Sequence, residues 1–194
     1  MESNLEKSKM QVLSTPIEDL FVLQPKVWED ERGYFFESYN QRILKEHGLD
    51  YTWVQDNEAK SDRGVLRGLH FQKGIHAQAK CVRVLAGEVL DVVVDLRPDS
   101  PTFGIHYSII LSGENKRQLL VPRGFAHGYL ALQDQTVFVY KCDNFYYKEA
   151  EGGLRYDDPH FDIDWKLDAS KYIIAEKDLL HPAFKEQDFK SYWT

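Results

Sequence analysis

A chain of 194 residues, 43% hydrophobic and 28% charged, is long enough for one sizeable core and has the make-up of an ordinary globular protein. Its net charge of −7 argues against broad binding to nucleic acid or a membrane surface, although a local basic cluster can still hold an anion. Two cysteines, Cys81 and Cys142, make no disulfide framework and no CxxC spacing; both fall in apolar runs and read as buried free thiols.

The elements follow in chain order. Residues 1–10 are polar and read as a flexible extension, with one domain expected over residues 11–194. The start lacks the apolar core of a signal peptide, and no apolar run is long enough for a membrane span, so the expected setting is the cytoplasm. Residues 11–23 alternate enough for a short strand. The EDERG segment (29–33) reads as a turn and residues 34–39 as a strand. Residues 40–48 have helical composition, with Asn40 as cap, Ile43 and Leu44 facing inward and Gly48 as terminator. From Tyr51 onward strands dominate. Residues 81–96 form two β-rich runs broken at Gly87, and strands follow at 105–111, 117–122 and 135–142. The tail, 177–194, returns to mixed helix and loop. Many short strands with turn signals between them point to an all-β sandwich or barrel.

Alternation places Gly68, His70 and Gln72 on one strand face, Lys80, Val82 and Val84 on another, and Thr136, Phe138 and Tyr140 on a third. If these faces line one interior, a base, a cation and a phenol meet in an apolar cup, the composition of a small-molecule pocket. Strict alternation turns Arg67 away from His70; a bulge at Gly68 would bring it back.

The richest segment is GVLRGLHFQ (64–72), which sets an arginine and a histidine between glycines and apolar residues. A site needs that combination when a cation holds an anionic substrate beside a titratable base. A strand histidine satisfied by a carbonyl reads equally well from this segment alone. RGYFFE (32–37) offers an arginine able to fork onto a diphosphate, or a solvated turn beside a core strand. QDN (55–57) reads as turn chemistry, PRGFAHG (122–128) as a structural turn or a phosphate contact, and AEKD (175–178) as an ordinary surface segment. His70, His76, Glu88 and His127 are spread over strands as in metal-binding barrels. The second histidine of such a barrel would fall at position 72, which is Gln72, so no catalytic metal is expected. No Gly-rich dinucleotide fingerprint occurs either.

Taken together and in order, DERGYFFE, QDNEAKS, GVLRGLHFQ, HAQAKCVRVLAGEVLDVVVDLR, VPRGFAHG, the strand ending in Tyr140, EGGLRYDDP and AEKDLLHP resemble the dTDP-4-dehydrorhamnose 3,5-epimerase family, from about Pro16 to Phe184. The resemblance implies a cupin-like jelly-roll barrel with a few short peripheral helices. It implies His70 as general base, Asp178 as its orienting partner, Lys80 near the substrate's keto oxygen and Tyr140 as proton donor. Arg32, Phe35, Glu37, Gln55, Asn57, Arg67, His127, Glu151 and Lys177 match substrate-contacting positions, and Tyr146 is a candidate ring contact. The implied substrate is a dTDP-4-keto-6-deoxy sugar in dTDP-L-rhamnose formation, with no cofactor. A homodimer, with strands exchanged between protomers, is implied as well. Ala59 stands where the family often has serine, and Gly74–Ile75 replaces a common proline pair, which touches substrate preference more than reaction type. Rival readings are an epimerase acting at C3 or C5 alone, a metal-dependent cupin oxygenase, and a silent nucleotide-sugar binding module. An acid beside a base weighs against the last.

Overall fold

The computed structural model describes residues 10–193. In chain order it contains β1 (Met10–Ser14), β2 (Phe21–Pro25), β3 (Trp28–Asp30), β4 (Gly33–Phe35), α1 (Gln41–Glu46), β5 (Gln55–Ser61), β6 (Val65–Gln72) and β7 (Lys80–Ala86). Then follow β8 (Glu88–Asp95), β9 (His106–Ser112), β10 (Gln118–Val121), β11 (Phe125–Ala131), β12 (Thr136–Cys142), β13 (Glu151–Gly153), β14 (Ile173–Ile174) and α2 (Glu176–Leu179). The expected extension at 1–10 lies outside the described residues except for Met10, which opens β1 and is buried. No helix among the described residues is long and apolar enough to cross a membrane.

Two antiparallel sheets carry the fold: β1-β2-β10-β7-β12-β5, and β13-β6-β11-β8-β9 with β14 added in parallel to β6. This is the jelly-roll arrangement expected. Alternation sorts each strand. In β8, Val89 and Val93 join the inter-sheet core with Val82, Leu119, Phe125 and Phe138. The intervening Leu90, Val92 and Val94 point outward and are covered by Leu154, Phe161, Trp165 and Phe189 from the C-terminal third. Both faces of β8 are therefore dry, which explains its nearly unbroken apolar run. A third cluster, including Met10, Leu23, Leu44 and Leu120, seals the outer face of the first sheet beneath α1.

Local signals behave as expected in several places. Asn40 caps α1, its side chain accepting from the Ile43 amide at 3.2 Å, while Leu44 is buried. The break at Gly87 has φ +77° and lies against Thr136, which leaves no room for a side chain. Cys81 and Cys142 are buried free thiols. Two expectations need correction. Residues 11–23 hold two antiparallel strands, because the chain turns after Pro16 through Asp19 at φ +63°. The strand expected over 34–39 ends at Phe35, since β4 pairs only with β3 and no further strand reaches it.

Candidate active site

The inward faces of β6, β7, β11 and β12, closed by the segment 173–178, enclose a cavity of about 520 Å³. Its walls include Arg67, His70, Lys80, His127, Tyr129, Tyr140, Lys177 and Asp178. His70 stands on one sheet, and Lys80 and Tyr140 stand on the other.

A bulge in β6 makes this possible. The pairing with β11 runs Arg67 to Tyr129 and His70 to His127, so Gly68 and Leu69 together oppose Gly128. The extra residue resets the alternation. Leu66, Leu69 and Phe71 go to the outer core, while both Arg67 and His70 reach the cavity. The close approach demands glycine on both strands. A Cβ on Gly68, at φ +125°, would sit 2.5 Å from the Gly128 Cα, and one on Gly128 would sit 2.6 Å from the Arg67 carbonyl oxygen.

Asp178 reaches His70 from 108 residues away. The parallel pairing of β14 with β6 brings the chain alongside, and α2 then turns Asp178 inward, where it is 2% exposed. The surface reading of AEKD is thus corrected for its aspartate. Asp178 Oδ1 lies 2.8 Å from His70 Nε2, and Oδ2 accepts the Gly68 amide at 3.3 Å. Burial works to raise the Asp178 pKa, but contacts with His181 and His70 and the Gly68 amide outweigh it and hold the carboxyl well below its ordinary range. An ionised carboxylate accepts only, so His70 Nε2 carries the hydrogen and Nδ1 carries the lone pair.

Burial also lowers the His70 pKa from 6.5; Asp178 pulls the other way, and the charges of Lys80 and Lys177 add to the lowering. A base with a lowered pKa stays neutral to lower pH. The acid limb of kcat/KM for any reaction that uses His70 as base is therefore expected to have its midpoint below pH 6.5. A pH–rate profile with the midpoint above that value contradicts this placement.

Desolvation raises the Tyr140 hydroxyl to about 12, aided by Cys142 and Tyr129 and opposed by Arg67, so it holds its proton at neutral pH. Lys80 Nζ stands 5.9 Å from the Tyr140 ring centre. Desolvation lowers the Lys80 pKa, while Cys142, Asp91 and Glu151 pull it upward. Tyr129 stacks on Phe138 at 4.2 Å, and its hydroxyl shares a 3.2 Å hydrogen bond with Ser61, to which Arg67 Nε also donates at 3.4 Å.

His127 is braced by a residue the sequence reading passed over. Its Nε2 lies 2.9 Å from Asp91 Oδ2, and Asp91 is fully buried with Oδ1 unpaired. Burial raises the Asp91 pKa against the opposing influence of His127 and Lys80. The signal was present: an aspartate at an inward position of the run EVLDVVVD has no apolar use.

Around the mouth, Glu151 Oε1 accepts from Lys177 Nζ at 2.8 Å and Oε2 from the Tyr146 hydroxyl at 2.7 Å. A smaller recess of about 260 Å³ joins Tyr146, Glu151 and Lys177 to His70, Lys80 and Tyr140. Gln55 and Asn57 do not line the cavity. They stand beside it on β5, where Gln55 Nε2 donates to Asn57 at 3.0 Å, Gln55 Oε1 accepts the Tyr146 amide at 3.1 Å, and Asn57 lies 3.7 Å from Cys142 Sγ. Arg32, Phe35 and Glu37 are not brought to the cavity by their own chain. The β3–β4 hairpin forms a separate sheet, with Arg32 Nε donating to Asp30 at 3.1 Å and Phe35 71% exposed; Glu37 turns to Asn40 instead. Of the four residues weighed as metal ligands, His76 stacks on Tyr147 at 4.2 Å and joins no cluster with the others.

Comparison with known proteins adds independent findings. The family model described as dTDP-4-dehydrorhamnose 3,5-epimerase matches residues 14–186. A protein of that description from Salmonella typhimurium LT2 is 52% identical over 168 residues, 86% of this chain and 92% of the relative. Among solved structures, the dTDP-4-dehydrorhamnose 3,5-epimerase of Elizabethkingia anophelis NUHP1 is similar at 52% identity with TM-score 0.89, covering 92% of this chain and 98% of the other. The dTDP-6-deoxy-D-glucose-3,5-epimerase of Legionella pneumophila, solved with dTDP-4-keto-L-rhamnose, is similar at 43% identity with TM-score 0.89, covering 95% and 97%.

Proposed function

We propose a division of labour among four side chains of this chain, which belongs to the dTDP-4-dehydrorhamnose 3,5-epimerase family. The chain is an isomerase of nucleotide sugars, and its substrate is a dTDP-4-keto-6-deoxy-hexose on the route to dTDP-L-rhamnose. C3 and C5 of that sugar both flank the C4 carbonyl, so loss of a proton from either gives an enolate on the same oxygen. Lys80 serves both steps by holding that oxygen; a preorganised charged donor of this kind contributes about 3–4 kcal/mol in the transition state. His70 removes the proton through Nδ1, and Asp178 stabilises the imidazolium that forms. Tyr140 returns a proton from the other face, which inverts the centre. The oxidation state does not change, so the residues need no redox cofactor for this balance.

The observation that carries this reading is the placement of His70 and Tyr140 on facing sheets. Stacked sheets stand roughly 10 Å apart, enough to hold a hexose ring edge-in between them. Arg67, His127 and Lys177 supply positive or donor groups for the nucleotide end, and Tyr146 and Glu151 border the mouth. Incubation with dTDP-4-keto-6-deoxyglucose in deuterium oxide, followed by proton NMR, tests it. Deuterium is expected at both C3 and C5 of an inverted product. Label at one carbon alone would make the enzyme monofunctional, and no label at either would reject the assignment.

The functional unit we propose is a homodimer. Arg32 and Phe35 stand exposed on a hairpin detached from their own cavity, and a nucleotide held in the cavity of one chain would need them from a second. Phe35 would stack on thymine, and Arg32 would face the diphosphate; Glu37, Gln55 and Asn57 would complete the nucleotide contacts. Co-expression of the Arg32→Ala and His70→Ala chains checks this. Each variant alone is expected to turn over poorly, and the mixture to regain activity through mixed dimers with one intact site. No regain would mean that each chain builds its site alone. Two free buried thiols suit the reducing cytoplasm in which we place the enzyme.

A further inference from the structure

One imidazole beside the His70–Asp178 pair helps hold the Asp178 carboxyl ionised but takes no proton in the chemistry above. His181 follows α2, three residues after Asp178, and its Nε2 lies 3.6 Å from Asp178 Oδ1, the oxygen that also receives His70 Nε2. His181 Nε2 is buried and makes no hydrogen bond of its own. Its ring meets the His70 ring edge-on, with centres 5.4 Å apart and planes at 80°. The position is built rather than incidental. Gly153 pairs with His70 across β13 and β6, and any side chain there would overlap the His181 ring. The donor atoms of His70, Asp178 and His181 all lie within 4.8 Å of one another.

We propose that His70, Asp178 and His181 form a binding site for a zinc-like transition-metal dication, and that its occupancy switches the epimerase off. Two imidazoles and one carboxylate suit Zn²⁺ or Co²⁺ rather than Mg²⁺ or Ca²⁺, which take oxygen donors. Donors about 2.0–2.1 Å from a tetrahedral zinc stand roughly 3.3 Å apart. The separations of 2.8 and 3.6 Å onto Asp178 Oδ1 bracket that distance, and the two imidazole donors, within 4.8 Å of each other, close onto one ion by side-chain rotation. The Gly68 amide on Asp178 Oδ2 already orients the carboxylate from behind, as outer partners of metal ligands do. Water takes the fourth position. Of the two cations that act on His70 and would oppose a dication, Lys177 is paired with Glu151, and Lys80 stands on the facing sheet.

Inhibition follows from the tautomer. A metal on His70 Nε2 takes the place of its hydrogen, and the neutral ring then carries its one hydrogen on Nδ1. Nδ1 loses the lone pair that accepts the sugar's proton. The groups proposed to hold the nucleotide are untouched, so proton exchange stops while dTDP still binds.

The inhibitory consequence rests on the epimerase reading; metal binding itself does not, and the two are measured separately. Titration of the purified full chain with Co²⁺ is expected to give the visible absorption of a four-coordinate site, and His181→Ala to abolish it. Zn²⁺ is expected to inhibit deuterium exchange in a manner reversed by EDTA, with dTDP affinity unchanged. His181→Ala, scored against its own metal-free rate, is expected to weaken that inhibition by more than about 100-fold, since losing a direct ligand costs more than the roughly 10–100-fold of losing an outer partner. His181→Cys, which keeps a metal donor, is expected to restore Co²⁺ binding where His181→Asn does not. Absence of a Co²⁺ band in the wild type, or equal Zn²⁺ inhibition of the wild type and His181→Ala, would overturn the proposal. A Co²⁺ band in a protein that exchanges no sugar protons would leave the metal site standing and reject the epimerase reading instead.

Discussion

His70→Ala is expected to lower exchange of the C3 and C5 protons with solvent by about 10²–10⁴-fold, the range that a positioned general base contributes. The expectation follows from a chain of local causes. The Asp178 carboxyl is held ionised, so it fixes the hydrogen of His70 on Nε2 and leaves Nδ1 as acceptor. Burial keeps the ring neutral near pH 7, the form from which the proposed base would start. Alanine removes the acceptor and leaves Lys80, Tyr140 and the proposed nucleotide contacts in place. The loss should therefore fall on kcat, with dTDP affinity near that of the wild type. Deuterium exchange by NMR, with dTDP titration as the control, separates a lost base from a lost fold. Exchange at the wild-type rate in His70→Ala would remove His70 from its assigned task.

Tyr140→Phe should divide two events that the wild type couples. The hydroxyl is raised to about 12, so it is a reservoir of one proton and not a base. Phenylalanine keeps the ring against Phe138, its neighbour at 6.0 Å, and removes only the oxygen. Proton removal by His70 then persists in part, and the enolate is reprotonated from the face it left. The expected result is substrate that gains deuterium without inversion, and a fall of about 10²-fold or more in inverted product. Full epimerisation by this variant would assign the acid to another group.

Much of this site was legible in the sequence because strand alternation is a local rule. The inward positions of β7 and β12 deliver Lys80 and Tyr140, as the period of two predicts. Strict alternation turns Arg67 away from His70, with a bulge at Gly68 as the way back; the register shift between β6 and β11 supplies that bulge. Asp178 was not legible from its own surroundings. Its burial comes from the parallel pairing of β14 with β6, a contact that leaves no mark in the polar segment AEKD; only the resemblance pointed to it. Asp91 was legible in principle, because one acid at an inward position of a valine run is costly to bury unless it is paired. The hairpin failed in the opposite sense. Aromatic β-formers at 34–36 invited a long strand, but a strand needs a partner, and β4 meets only β3.

The most direct measurement is a crystal structure of the chain with a dTDP-linked 4-keto or 4-hydroxy 6-deoxyhexose bound. The sugar ring is expected between the two sheets, with His70 on one face, Tyr140 on the other and Lys80 Nζ at hydrogen-bond distance from the C4 oxygen. A ring seated outside the cavity, or one presenting the same face to His70 and Tyr140, would contradict the account.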